Sequence, residues 1–436
     1  MIQTIDLRGT SHTPADLLAA VPRSLTSVTS ASDIAAELIA DVRARGGAAL
    51  LDQAELLDHV RPLQVRVPAS DLAEALAELD PAVRSAVEET IRRVRLASAA
   101  QVPPAVTTTI DAGATITQRW QPVNRVGLYV PAGKAVYPSS VVMNVVPAQI
   151  AGVASIALTS PPQSRFGGRV HPTILAVAAL LGVDEVYAMG GAGAIGALAY
   201  GVPDIGLEPV QIVTGPGNVY VAAAKRLVRG QAGIDSEAGP TDILVIADDA
   251  ADPLLVAADL VSQAEHDELA AAVLVTDSAA LAEAVAARLV TLAQTTTHSE
   301  RVTAALTGTQ SAIVLVDDIE TAAAFSNAFG PEHLEIQTRD PEAVLTFIEN
   351  AGAIFLGPHS PVSLGDYSAG SNHVLPTGGQ ARFSSALGAY TFLRPQQVVT
   401  YSREALRTVA ANIAAFSSAE NLPAHGDAVT ARFDQE

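Results

Sequence analysis

No cysteine occurs in the 436 residues. That excludes disulfides, thiolate zinc sites and a cysteine nucleophile together. Lysine is nearly absent as well: Lys134 and Lys225 are the only two, and arginine carries the remaining positive charge. Basic residues number 26 against 46 acidic ones, a net charge of −20, with a pI of about 4.8. Phosphate recognition needs a basic footprint, so no nucleic acid partner is expected. The acidity favours solubility instead. The first residues, "MIQTIDLRGTSHTP", lack an apolar signal core and carry Asp6 early, which predicts a cytoplasmic protein. No apolar run reads as a membrane span. Residues 135–164 are interrupted by Pro138, Asn144, Pro147 and Gln149, and residues 186–203 are glycine-rich. Both read as buried strand–helix units, so no membrane partner is expected. Low-complexity tracts and short repeats are absent too.

What is present points to a well-packed globular chain. Apolar residues make up 49%, and the length exceeds what one core serves, which implies at least two domains. "ASDIAAELIADVRARGG" predicts a helix with Ser32 as N-cap and Gly46 as its stop. Helical pattern returns over about residues 70–100, broken at Pro81. From Tyr129 apolar strand runs alternate with helical segments: "RVGLYVP", "ASIALTSPP", "VDEVYAMGG" and "VQIVTGPGN" in one series, "DILVIADD", "AAVLVTD", "SAIVLVDD", "HLEIQT" and "AGAIFLG" in another. Such alternation predicts an α/β fold of parallel sheets covered on both faces. We expect an N-terminal segment over 1–30, one half formed by 31–109 with 239–380, a second by 110–238, and a tail over 381–436. The tail has too few strands for its own core and must dock on its own body or on a partner.

Several constellations could carry chemistry. Gly191, Gly193 and Gly196 spell G-x-G-x-x-G between a strand and a helix. A dinucleotide fingerprint also needs an acid at the end of the next strand. Asp204 and Glu208 precede that strand, so the ribose contact fails. More telling are three glycine turns after strands, "VPAGK", "GGAGA" and "TGPGN". All would open at the carboxyl edge of one parallel sheet, where helix N-termini favour a pyrophosphate. In "SQAEHDEL", Gln263 and His266 share a helix face at i and i+3. In "GPEHLEI", Glu332 and His333 adjoin at a strand entrance, an acid–base pair only if a tight turn brings both to one side. Asp366 and His373 lie in the loop "SLGDYSAGSNHVLPT", and Glu420 and His425 in the tail. Without cysteine, a metal must use nitrogen and oxygen ligands, a set that suits zinc or a similar divalent ion. His12, His59, His171, His298 and His359 have no informative neighbours.

Taken together, "GLYVPAGKAVYPSSVVMNVVPA", "TGPGNVYVAAAKRLV", "AGPTDILVIAD", "ADLVSQAEHDE", "PEHLEIQT", "SLGDYSAGSNHVLPTGG" and "LPAHGDAV" resemble the histidinol dehydrogenase family in order and spacing, from about residue 30 to 433. The resemblance implies two incomplete Rossmann-like halves, aldehyde-dehydrogenase-like in arrangement. It implies a homodimer whose helical tail is swapped between subunits. It also implies oxidation of L-histidinol to L-histidine with NAD used twice and one zinc per site. Carried over residue by residue, Gln263, His266, Asp366 and His425 match the metal ligands, and Glu332 and His333 the catalytic pair. Substrate contacts match Thr241, His373 and Glu420 together with Gln263, His266, His333, Asp366 and His425. Tyr129, Gly193 and Asn218 match nucleotide contacts, although the family usually has glutamine where Gly193 stands, and Ala132 replaces a common glycine. Competing readings are a paralogue that oxidises a related amino alcohol, a zinc hydrolase using the Glu–His pair, and a two-lobed binding protein.

Overall fold

The computed structural model describes residues 2–23, 28–132, 135–237 and 239–433. Its strands in chain order begin with β1 (Gln3–Asp6), β2 (Val106–Asp111), β3 (Ala114–Pro122), β4 (Arg125–Tyr129) and β5 (Ser155–Ser160). They continue with β6 (Val186–Ala188), β7 (Ile212–Thr214), β8 (Gly233–Ile234), β9 (Asp242–Ala247) and β10 (Ala271–Thr276). The last are β11 (Ala312–Leu315), β12 (His333–Gln337), β13 (Ala353–Leu356) and β14 (Leu393–Tyr401). Two parallel sheets organise the chain, one ordered β6-β5-β4-β7-β8 and one β1-β11-β10-β9-β12-β13. Their central strands are apolar and buried on both faces, as β9 "DILVIA" and β10 "AAVLVT" illustrate. Connections of this kind need helical crossovers, and a helix follows each inner strand. The α/β fold with parallel sheets is therefore as the alternating runs predict.

In the five-stranded sheet the chain leaves β4 toward β5 and β6 on one side, then returns to β7 and β8 on the other. The carboxyl end of β4 is thus a topological switch point, the usual ligand crevice of such sheets. Tyr129 ends β4, and the turn that carries Asn218 follows β7. Order reverses in the same way between β9 and β12 of the larger sheet.

Three expectations need correction. The helices of the early region pack on the five-stranded half, not on the six-stranded one. Helix Val28–Arg45 lies on helices Gly191–Tyr200 and Val219–Val228, and helix Pro81–Ala99 lies on helix Pro138–Ala151. Small residues allow this: at Gly196 an added Cβ would stand only 3.0 Å from Ile39 Cγ1. Residues 1–20 are no separate segment, because β1 pairs with β11 and helix Pro14–Ala20 packs on helix Ile319–Phe329. Ser32 is no N-cap; the helix already begins at Val28, while Gly46, at φ +61°, does end it. The break expected at Pro81 is present: helix Ala69–Ala77 ends before it, and Pro81 opens the next helix at its first turn, with Asp80 accepting from Ala82 and Val83 as N-cap.

Strand β14 from the tail pairs antiparallel with β3, and β2 completes a three-stranded sheet outside both parallel ones. The tail helices Arg403–Ala419 and Pro423–Thr430 pack mainly on each other. Phe416, 71% exposed, shows that their apolar face is left open within one chain. Among the described residues no helix is long and apolar enough to cross a membrane.

Candidate active site

Glu332 and His333 meet at the amino ends of β9 and β12. Glu332 lies in the bend before β12, so it escapes the alternation that would send it to the opposite face. Asp242 organises both residues. Its Oδ1 accepts the Glu332 N–H at 2.7 Å, its own N–H donates to Glu332 Oε2 at 3.0 Å, and its carbonyl oxygen lies 2.9 Å from His333 Nδ1. Arg23 pairs with the remaining carboxylate oxygen of Asp242 at 2.6 Å. The imidazole and the Glu332 carboxylate end 3.7 Å apart. Burial pushes the Glu332 carboxyl up to about 7, against the pull of His333 and Thr241.

A hydrogen-bond chain joins this pair to the next element. Thr241 Oγ1 donates to Glu332 Oε2 at 2.5 Å and accepts from Gln263 Nε2 at 2.6 Å. Gln263 is in the last turn of helix Pro253–Ala264. His266 is just beyond that helix rather than on it, yet its N–H donates to the Gln263 carbonyl and keeps the two side by side. Asp366 sits in a short helix, Val362–Tyr367, and not in a loop as expected. His373 does lie in irregular chain; its Nδ1 is 3.1 Å from the Asp366 carbonyl and its Nε2 2.9 Å from Ser140 Oγ. Burial lowers the pKa of both His266 and His373, which favours the neutral rings that bind metals and cations.

The residues present fit a zinc ion. Thr241 holds the Gln263 amide nitrogen, and Gln263 Oε1 is left buried with no hydrogen-bond partner. A buried carbonyl oxygen without a partner is costly unless something fills its valence. A neutral imidazole and a carboxylate, His266 and Asp366, face the same cleft. Among the described residues no three His, Asp or Glu side chains cluster closely enough to hold a metal. Glu420 and His425 stand exposed on the tail helices and do not line the cleft.

The cleft itself, about 570 Å³, lies between the halves. Val87, Tyr137 and Ser139 form one wall, and Glu265, His266, Arg301, Asp366 and Tyr367 the other.

At the carboxyl end of β4 Tyr129 is buried, and its hydroxyl accepts from the Gly191 N–H at 3.3 Å. Burial pushes that phenol up to about 12. Asn218 caps helix Val219–Val228 by accepting from Tyr220 and Val221. Gly133 and Lys134 of the first glycine turn lie outside the described residues. At Gly193 a Cβ would point at Gln53 Oε1, only 2.0 Å away, so helix Gly47–Leu57 already fills the place of a side chain there. Asp204 accepts from the Gly47 N–H at 2.9 Å, so its carboxylate caps a helix rather than a ribose.

Asp242, Arg23 and Ser140 were missed. Asp242 stands inside the quoted "AGPTDILVIAD", but nothing in a strand-entry aspartate announces which groups it will hold. Arg23 lies in unpatterned sequence.

A family model for histidinol dehydrogenase matches residues 21–433. The chain belongs to the histidinol dehydrogenase family. It is 69% identical over 434 residues to the histidinol dehydrogenase of Leifsonia xyli subsp. xyli, with 100% of each chain covered. The histidinol dehydrogenase of Thermobifida fusca is 58% identical over 436 residues, covering 100% of this chain and 98% of that one. A crystal structure of the histidinol dehydrogenase from Elizabethkingia anophelis superposes with a TM-score of 0.93 at 30% identity, covering 99% of this chain and 98% of that chain. Histidinol dehydrogenases are oxidoreductases of the last step of histidine biosynthesis, and the whole length of this chain is spanned by the match.

Proposed function

We propose that this chain oxidises L-histidinol to L-histidine through the aldehyde, with two NAD and one zinc per site, as a cytoplasmic homodimer. The observation that carries the reading is the chain Gln263–Thr241–Glu332 with His333 beside it. It joins an acid–base pair to an unpartnered buried ligand oxygen.

Zinc supplies an anchor for the imidazole and amine of the substrate, held by Gln263, His266 and Asp366 with His425 of the partner subunit. NAD supplies the hydride acceptor, near Tyr129 and Asn218. The chain's own groups do the rest. His333 Nδ1–H donates to the Asp242 carbonyl, so Nε2 is the basic nitrogen that takes the hydroxyl proton as the carbon gives up its first hydride. With no cysteine to form a thioester, water attacks the aldehyde. Both hydrogen bonds to the Glu332 carboxylate fall on Oε2, and Oε1 takes the proton from that water. The hydrate then loses its hydroxyl proton to His333 and its second hydride. One alcohol, one water and two NAD give one carboxylate, two NADH and three protons. His373 and Glu420 of the partner subunit hold the polar substrate tail, and closure between the halves keeps the aldehyde from escaping.

The test is the NADH formed per L-histidinol consumed, with and without a chelator. Two are expected, falling to none when the metal is stripped. A yield near one, or turnover of an ester without NAD, would sink this reading in favour of a simple dehydrogenase or a hydrolase.

A further inference from the structure

Strand β12 carries a polar stripe of which the reaction uses only the first member, His333. His333, Glu335 and Gln337 share one face of it, while Leu334 and Ile336 enter the core on the other. A central parallel strand normally buries apolar side chains on both faces. Glu335 is nevertheless 1% exposed and Gln337 5% exposed. Each polar atom of Glu335 is spoken for. Its Oε1 accepts the Val362 N–H at 2.9 Å, and its Oε2 accepts Gln337 Nε2 at 2.9 Å. The same Gln337 nitrogen donates to Asp259 Oδ2 at 2.9 Å, so one amide bridges the two carboxyl groups. Burial, then the charge of Asp259, raises the Glu335 carboxyl above the ordinary carboxylate range.

The partners of Glu335 are the elements of the site. Val362 opens the helix that carries Asp366. Asp259 lies one turn before Gln263 on helix Pro253–Ala264. His333 is two residues along the same face of β12. The two helices that must agree in position to hold one ion, and the strand that carries His333, are therefore tied at a single buried carboxyl group.

We propose that Glu335, with Asp259 and Gln337, is a positioning residue that holds the Gln263 and Asp366 helices in register with His333 for metal binding. The proposal rests on the cleft being the metal site described above. Groups that orient metal ligands from behind typically change metal affinity 10- to 100-fold when removed. Burying such a pair is not needed for stability alone, since apolar residues of the same volume serve a core as well or better.

The test uses the zinc-loaded full chain, with zinc release followed against increasing chromophoric chelator and kcat and KM measured for L-histidinol. Glu335→Leu removes every bond and is expected to release zinc at chelator concentrations at least ~10-fold lower, with kcat reduced. Glu335→Gln keeps an acceptor for Val362, and is expected to restore retention to within about threefold. Val362→Pro is the second, independent arm. Val362 is the first helical residue after Pro361, where proline is tolerated; the N–H is lost, and the buried valine side chain is exchanged for a ring of similar size, so Val362→Ala, which trims packing but keeps the N–H, is the control. Val362→Pro, unlike that control, is expected to weaken retention in the same direction. Glu335→Leu or Val362→Pro folding with wild-type zinc retention and kcat would overturn the proposal, as would failure of Glu335→Gln to rescue. A wild-type chain that holds no zinc would overturn the site reading first, and this proposal with it.

Discussion

His333 Nδ1 lies 2.9 Å from the main-chain carbonyl of Asp242, while the side chain of that same Asp242 takes the Glu332 N–H. One residue at the mouth of β9 thus sets the tautomer of the imidazole and the place of the carboxyl group beside it. A ring whose Nδ1–H is committed must use Nε2 for chemistry. His333→Asn offers no basic nitrogen, so both oxidation steps should fall by about 10²- to 10⁴-fold. Binding of L-histidinol, measured by calorimetry, should persist. An asparagine variant that still oxidises histidinol, or the aldehyde, at near wild-type rate would remove His333 from the mechanism.

Glu332 makes a prediction with a sign. Its carboxyl is buried and raised from an ordinary 4.5 to about 7. As a base it must be ionised, so aldehyde oxidation should rise with pH through about 7. Glu332→Gln should lose that limb while alcohol oxidation survives. Stability runs the other way. The folded chain keeps this proton to a higher pH than the unfolded one, so the benefit is complete below about 4.5 and is lost as pH rises through about 7. Denaturation of the metal-free chain should show Glu332→Gln matching wild type near the lower value and gaining on it up to the higher. The plateau should be on the order of 3 kcal/mol. An unchanging gap across that range would mean that Glu332 does not titrate there.

Much of this was legible beforehand. Alternation of apolar runs such as "DILVIADD" and "AAVLVTD" with helical segments is a local signal, and both parallel sheets follow from it. Pro81, Gly46 and the misplaced Asp204 also behave as their chemistry dictates. What failed were assignments that depend on which surface meets which. Nothing local tells helix Val28–Arg45 that its partners are the small residues of helix Gly191–Tyr200. At the site, Gln263, Glu332 and His333 declare themselves by side-chain type. Asp242 acts partly through its main chain, which every residue has, and Glu335 reads as one more strand position. Side chains announce chemistry; the groups that aim them do so only in three dimensions.

Gly193 can be tested by putting back what the family usually has. A side chain there would run into Gln53 Oε1, itself buried without a partner. Overpacking of this kind costs about 1–3 kcal/mol. Gly193→Gln should therefore destabilise the chain in urea, and Gln53→Ala should recover part of the loss. The two changes should couple by at least ~0.5 kcal/mol, because they share one space. Strict additivity would show that the helices separate freely, and NAD titration of the double variant would then report on the pocket alone.

Lys225 locks the turn after β7, on the far side of the proposed nucleotide crevice. Its ammonium donates to the Gly215 carbonyl and to Asp235 Oδ1, both at 2.5 Å, and the Gly215 N–H donates back to Asp235 Oδ2 at 2.8 Å. Lysine and aspartate are both buried. Gly215 sits at φ +116°, its α-carbon pressed on the Tyr129 carbonyl so closely that a Cβ would overlap it. Lys225→Met leaves Asp235 buried and unpaired, a loss of about 3–5 kcal/mol. It also frees the turn that positions Asn218. The KM for NAD should rise several-fold more than kcat falls. Equal effects on both, or none on KM, would show that the turn does not form the NAD site.

The exposed tail leads to the last prediction. Phe416 is 71% exposed and Leu422 44% exposed, on helices that pack mainly on each other. Such a surface wants a cover, and a second copy of the chain would supply it while bringing His425 to a neighbour's cleft. If so, His425→Ala and Glu332→Gln each stop formation of histidine, the activity to be followed here, at every site of their own homodimer. In a mixed dimer the defects fall together at one site and leave the other intact. Random exchange makes half the dimers mixed, so about a quarter of wild-type activity should return after the two inactive proteins are unfolded and refolded together. Sites complete within one chain would return none. Recovery without refolding would further show that the tails exchange in the native state, and its rate would measure how firmly the second subunit holds them.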